Sequence, residues 1–171
     1  YSIWVEKTGG AVFNDDAQKA AFARYLEAAV IVDGPEVKKI SKAVAETGVF
    51  VYLGVVERAQ SGGTVFCSLL AIHPDKGVIN VHRKLQPSHM ERLVWGTGDG
   101  HGLRVIDWRG VKLGGLSCWE NWMPLARYSL YAQGEQIHIG VWPGSAWLTT
   151  DITRFTAMEG RVFAVAVGGI L

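Results

Sequence analysis

Apolar positions recur along the chain at two periods, and the switches between them mark its elements. Residues 15–29 (DDAQKAAFARYLEAA) set Phe22, Leu26 and Ala29 at helical spacing behind two acidic residues that suit a helix N-terminus. A second helix opens at Gly34-Pro35-Glu36, carries Val37, Ile40 and Val44 as its apolar stripe, and stops at Gly48. The pattern then changes to continuous runs rich in β-branched and aromatic residues. Residues 49–57 and 64–73 predict two strands around Gln60-Ser61-Gly62-Gly63, and Pro74-Asp75-Lys76-Gly77 turns the chain into a third at 78–84. Beyond a glycine-rich loop at 96–102, strands are expected at 103–108 and 110–118 around an Arg109-Gly110 turn. A helix over 124–133, a strand over 136–142, a helix over 149–159 and a strand over 161–167 complete the chain. Hairpins alternate with strand–helix–strand units, which predicts an α/β layered fold with a mixed sheet in one domain.

The stretch "GGLSCWENWMP" places Cys118 where the strand gives way to the next helix. Asn121 can cap that helix, and Pro124 fits its first turn. A thiol beside a helix N-terminus is expected to favour its thiolate. A nucleophile also needs a base and a positive or hydrogen-bonding partner. Five histidines are present, and a cysteine–histidine dyad stays open because spacing sets none of them beside Cys118. In "HRKLQPSHMERLVWGTGDG", Lys84 falls where a strand runs out before Pro87, and Glu91 follows seven residues later. The pair can be a solvated ion pair or an ammonium aimed into a pocket by a carboxylate.

Composition narrows the classes. With 49% hydrophobic and 19% charged residues the chain should fold, and with net charge +1 and no basic run it has no electrostatic footprint for nucleic acid. No apolar stretch approaches a membrane span. Two cysteines make no disulfide framework and suit a reducing, cytoplasmic setting. The histidines lack metal-ligand spacing with either cysteine. The first residues, Tyr1 to Lys7, are neither a signal peptide nor an initiation site, and the last ones stop in or just after a strand, so truncation at both ends is expected.

The lysine stretch followed by "GGLSCWENWMPLARYSLYAQGEQIH" closely resembles the nitrilase branch of the carbon–nitrogen hydrolase superfamily. The segments "DGPEVKKISKAVAETGVFVYLGVVER" and "AMEGRVF" extend the resemblance over almost the whole chain. It implies an α-β-β-α sandwich that associates into homo-oligomers, needs no cofactor or metal, and converts a small nitrile to a carboxylic acid and ammonia. Two members of a Glu-Lys-Cys triad match Lys84 and Cys118, and an additional active-site glutamate matches Glu91. The triad glutamate belongs to an F-P-E motif absent from this sequence. None of Glu6, Glu27 or Glu36 fits it, and it is expected upstream of Tyr1, so this chain alone should be inactive. An amidase or a cyanide-degrading enzyme of the same superfamily, or a non-catalytic assembly module, are the alternatives.

The resemblance also assigns roles around the cysteine. Trp119 is expected to wall the substrate pocket, and Trp142 to line it from a strand end. Its backbone N–H makes Trp119 a second donor beside Lys84. Glu120, tempting as a substitute base, is expected instead to hydrogen-bond structurally in the first turn. Cys67 and Glu57 are expected to be structural, and Gly96, Gly98, Gly100 and Gly102 lack the strand-to-helix setting of a phosphate loop. Leu125, Tyr128 and Ala132 mark the following helix as a candidate for the subunit interface.

Overall fold

Antiparallel pairing of three apolar runs builds the first sheet. The computed structural model describes residues 9–144 and 146–168, so Glu6 and the expectations for the two chain ends lie outside the described residues. Strands β1 (Val51–Arg58), β2 (Val65–His73) and β3 (Gly77–Arg83) form a meander in that order. The strand expected from residue 49 begins at 51, because Gly48 closes the preceding helix in a left-handed cap at φ 67° and Val49 faces solvent. Lys84 lies one residue past β3, yet its N–H still donates to the Cys67 carbonyl at 2.8 Å.

Two helices precede this sheet. In α1 (Asp16–Ala28), the Asp15 side chain accepts the Gln18 N–H at 2.7 Å, a standard N-cap. Helix α2 (Pro35–Thr47) starts with proline in its first turn and buries Val37 and Val44, whereas Ile40 sits on the exposed shoulder of the expected stripe. Val37 and Val44 pack on Leu70 and Ile72, with Leu53 and Val55 beside them. Leu69, one residue out of phase, points to the opposite face and meets the second sheet at Gly115.

That second sheet has the order β4 (Ile106–Trp108), β5 (Val111–Ser117), β6 (Ile137–Trp142), β7 (Phe163–Gly168). The β4–β5 pair is antiparallel; β5, β6 and β7 run parallel, with α3 (Pro124–Tyr131) and α4 (Ala146–Gly160) as the crossovers. The strand expected over 103–108 shrinks to three residues. Gln133 supplies the missing ladder bonds from its side chain, accepting from the Val105 N–H and donating to the Leu103 carbonyl. Helix α4 starts three residues earlier than its pattern suggests, and the last strand starts at 163 because Arg161 takes a left-handed turn at φ 51°. Leu116, Ala126 and Leu130 form the core beneath α3. With Tyr52 donating its hydroxyl to the Leu113 carbonyl across the seam, the layers run α2, first sheet, second sheet, α3/α4. This is the expected α-β-β-α sandwich.

Candidate active site

Cys118 is the first residue past the end of β5 at Ser117. Its φ of 56° is left-handed, a conformation that costs a non-glycine residue free energy unless its surroundings hold it. Asn121 does so from one side: its Nδ2 donates to the Cys118 carbonyl at 2.8 Å and to the Leu116 carbonyl at 3.3 Å. Its Oδ1 in turn faces His138 Nε2 at 2.8 Å, and His138 Nδ1 faces the Glu135 carboxylate at 3.0 Å. All three of these polar side chains are buried. Asn121 therefore braces the cysteine turn instead of capping a helix. Cys118–Trp122 is a single 3-10 turn, and α3 begins only at Pro124 with no side-chain cap.

Lys84 arrives from the other sheet. It is 1% exposed, and its ammonium meets Glu91 Oε2 at 2.6 Å. The same oxygen accepts the Ser88 N–H at 2.6 Å, which fixes the carboxylate. Trp95 lies under the ammonium at 5.8 Å and donates its indole N–H to the Tyr25 hydroxyl at 2.7 Å. Of the two sequence readings of this pair, the pocket-directed ammonium is the one observed. The glycine-rich loop explains part of the placement: Gly98 donates its N–H to the Lys84 carbonyl at 2.9 Å, close enough that a Cβ at Gly98 would strike the Arg83 backbone. That loop lies against β3 and aims no helix N–H groups at a ligand.

Cys118, Lys84, Glu91, Cys67, Trp95 and Trp142 line one cavity of about 300 Å³ in the seam between the sheets. None of the five histidines lines it. Four sequence-derived candidates thus converge: Cys118, Lys84, Glu91 and Trp142. Trp119 does not bring its ring there. That ring is half-exposed, stacks on Trp122 at 6.0 Å, and borders a separate cleft with Pro87, His89 and Arg92. Only the Trp119 backbone N–H turns to the Cys118 sulfur.

The electrostatics also depart from the sequence reading. Burial pushes the Cys118 thiol above its ordinary value, while the Lys84 ammonium and the Trp119 N–H pull the other way. A lone 3-10 turn supplies too little aligned dipole to win this contest, so the expected preference for thiolate is not met. Cys67 lies within β2 as expected, half-buried, and also lines the cavity; burial raises its thiol to about 12. Glu57 is structural, as expected, buried and held by Arg83 and by the Ser68 hydroxyl at 2.6 Å.

Glu120 is the residue whose importance spacing understates. Fully buried, it accepts the Ser117 N–H at 3.1 Å, the Leu85 N–H at 2.8 Å and His82 Nε2–H at 2.8 Å. Its structural role is thereby observed. The signal for it lies in two S-x-x-E spacings, Ser88 to Glu91 and Ser117 to Glu120, in which a glutamate reaches back to the N–H of the capping serine. Among the described residues, no cluster of three or more His, Cys, Asp or Glu could hold a metal ion. No helix there is long and apolar enough to cross a membrane.

The carbon–nitrogen hydrolase family profile matches residues 7–170. The chain is 37% identical over 172 residues to Nitrilase 2 from an unknown prokaryotic organism, covering 99% of this chain and 53% of that protein. It is 39% identical to an arylacetonitrilase of Trametes versicolor (85% and 48% covered) and 33% identical to an aliphatic nitrilase of Rhodococcus rhodochrous (96% and 46%). The chain thus spans about half the length of these relatives. A carbon–nitrogen hydrolase superfamily protein of Xanthomonas campestris with an arsenic adduct in its active site shares the fold. Its TM-score is 0.72 at 21% identity, over 85% of this chain and 57% of that one. A Nesterenkonia amidase of the nitrilase superfamily aligns with TM-score 0.63 at 13% identity, over 77% and 53%. Profile, relatives and fold agree: the chain belongs to the carbon–nitrogen hydrolase family.

Proposed function

We propose that the protein is a nitrilase, hydrolysing R–C≡N with two waters to a carboxylic acid and ammonia. The observation that carries this reading is a buried ammonium, Lys84, sharing one cavity with a thiol on a strained turn. The Cys118 sulfur adds to the nitrile carbon, and the nitrogen takes up a proton to give a thioimidate. A first water adds to that carbon, the C–N bond breaks as ammonia leaves, and a thioester remains. A second water cleaves the C–S bond, releasing the acid and restoring the thiol. Lys84 and the Trp119 N–H stabilise charge as it develops at the reacting centre.

Because burial holds Cys118 as a thiol, a base must take its proton. We assign that base to a glutamate in a segment ahead of Tyr1, with Glu91 orienting Lys84 and relaying protons. Residues 1–171 alone are then inactive. Trp142 and Trp95 supply apolar wall for the substrate's R group, and a reducing cytoplasm keeps Cys118 free.

Ammonia release from aliphatic, aromatic and arylacetic nitriles, cyanide and matching amides tests the reading in the intact protein. Nitriles should release ammonia. Cys118→Ala should abolish turnover, and Lys84→Ala should lower kcat by about 10²–10³, as loss of a preorganised donor does. Turnover of amides alone would replace the nitrilase reading with an amidase one, and cyanide alone with a cyanide-degrading one. No turnover by the intact protein favours an assembly module.

A further inference from the structure

We propose that Glu120 is a positioning residue that ties the lysine-bearing segment of the first sheet to the cysteine turn of the second. Lys84 and Cys118 belong to different layers, joined to each other by packing and by few hydrogen bonds. Glu120 spans them with one carboxylate. Oε1 accepts the N–H of Leu85, the residue after Lys84, at 2.8 Å, while Oε2 accepts the N–H of Ser117, the residue before Cys118, at 3.1 Å. The third donor, His82 Nε2–H at 2.8 Å, comes from the strand that delivers Lys84. His82 is itself buried, and its Nδ1 has no hydrogen-bond partner among the described residues, so the ring's polar contact is to Glu120.

Charge does not explain the residue. A buried carboxylate near Cys118 opposes ionisation of the thiol. Its geometric action is the favourable one, because three donors converge on two oxygens with no solvent exposure. An amide of the same shape cannot reproduce this. It offers one acceptor oxygen and an NH₂ group that would face at least one of the three donors. Glu120 therefore acts through position: it fixes the segment that carries Lys84 relative to the turn that carries Cys118.

The proposal rests on Cys118 and Lys84 forming the reactive pair, and its test is independent of substrate. In the intact protein, alkylation of Cys118 by iodoacetamide is followed against pH in four backgrounds: unmodified, Lys84→Met, Glu120→Gln and the double variant. Lys84→Met should raise the midpoint by about one pH unit, the scale of a lost opposite charge. With Glu120→Gln already present, the same replacement should raise it by less than half as much. An equal shift in both backgrounds overturns the proposal, as does the absence of any Lys84 effect in the unmodified protein. Where nitrile turnover is measurable, Glu120→Gln should lower kcat at least about tenfold with little change in KM. Circular dichroism checks folding. If Glu120→Gln does not fold, His82→Leu, which removes one donor and leaves both backbone bonds, should weaken the Lys84 effect in part; an undiminished effect there overturns the proposal. Absence of nitrile turnover with the thiol coupling intact would sink the substrate assignment and not the tether.

Discussion

At Cys118, burial outweighs an ammonium and a backbone N–H, and the sign of that balance predicts behaviour with pH. A thiol raised above its ordinary value is protonated at neutral pH, and its thiolate fraction grows as pH rises through the folded-state value. Iodoacetamide labelling should accordingly accelerate with pH, with a midpoint above that of free cysteine. Cys67, raised to about 12, should stay unlabelled until Cys118 has reacted completely. Peptide mass spectrometry after timed quenching reads both; a Cys118 midpoint below that of free cysteine would reverse the balance described here. Lys84 and Cys118, which line one cavity, were legible in sequence as candidates because each sits in a short string. The placement of Trp119 was not, since following Cys118 in sequence says nothing about which side of the turn its ring takes. Asn121 looked like a cap from its spacing, but its partners are carbonyls upstream and a histidine 17 residues away.

Among the elements, the stretch from Gly96 to Gly102 is packed by backbone contact. Gly102 lies so close to Val81 and His82 that a Cβ would meet their main chain, which cannot yield as a flexible side chain does. Gly102→Ala should therefore cost roughly 1–3 kcal/mol by overpacking. At Gly110, where a Cβ has open space, alanine should cost only the left-handed backbone, about 1–2 kcal/mol. Urea unfolding of both variants checks the contrast, and equal and small losses would mean that the loop is not seated on β3. Periodicity placed most elements well because each buries one face. It failed where side chains replace main-chain partners, as Gln133 does beside β4, and where a positive φ ends a run, as at Cys118 and Arg161.

Across the whole molecule, the outer face of α3 and α4 is unusually apolar. Leu125 is 81% exposed, Met158 75% and Tyr128 67%, and Phe155 is half-exposed. Self-association would cover such a patch with a second copy, an assignment that sedimentation tests. Sedimentation of the intact protein should give an oligomer, and Leu125→Glu with Tyr128→Glu should lower its mass. A wild-type monomer at micromolar concentration would contradict the assignment. The alternating patterns gave a layered fold with a mixed sheet, and the α-β-β-α order with two sheets came only from the family resemblance; the exposed face could be marked only as a candidate, since Leu125 and Leu130 look alike until one is seen buried and the other not.

The cavity lies in the seam between two sheets, with its thiol on one wall and its ammonium on the other. A molecule bonded to Cys118 and gripped by Lys84 would therefore act as a crossbeam between layers that otherwise meet through side-chain packing, the Tyr52 hydroxyl and the Glu120 carboxylate. On the proposed chemistry, each covalent intermediate would bridge the two layers, and release of the product would remove that bridge.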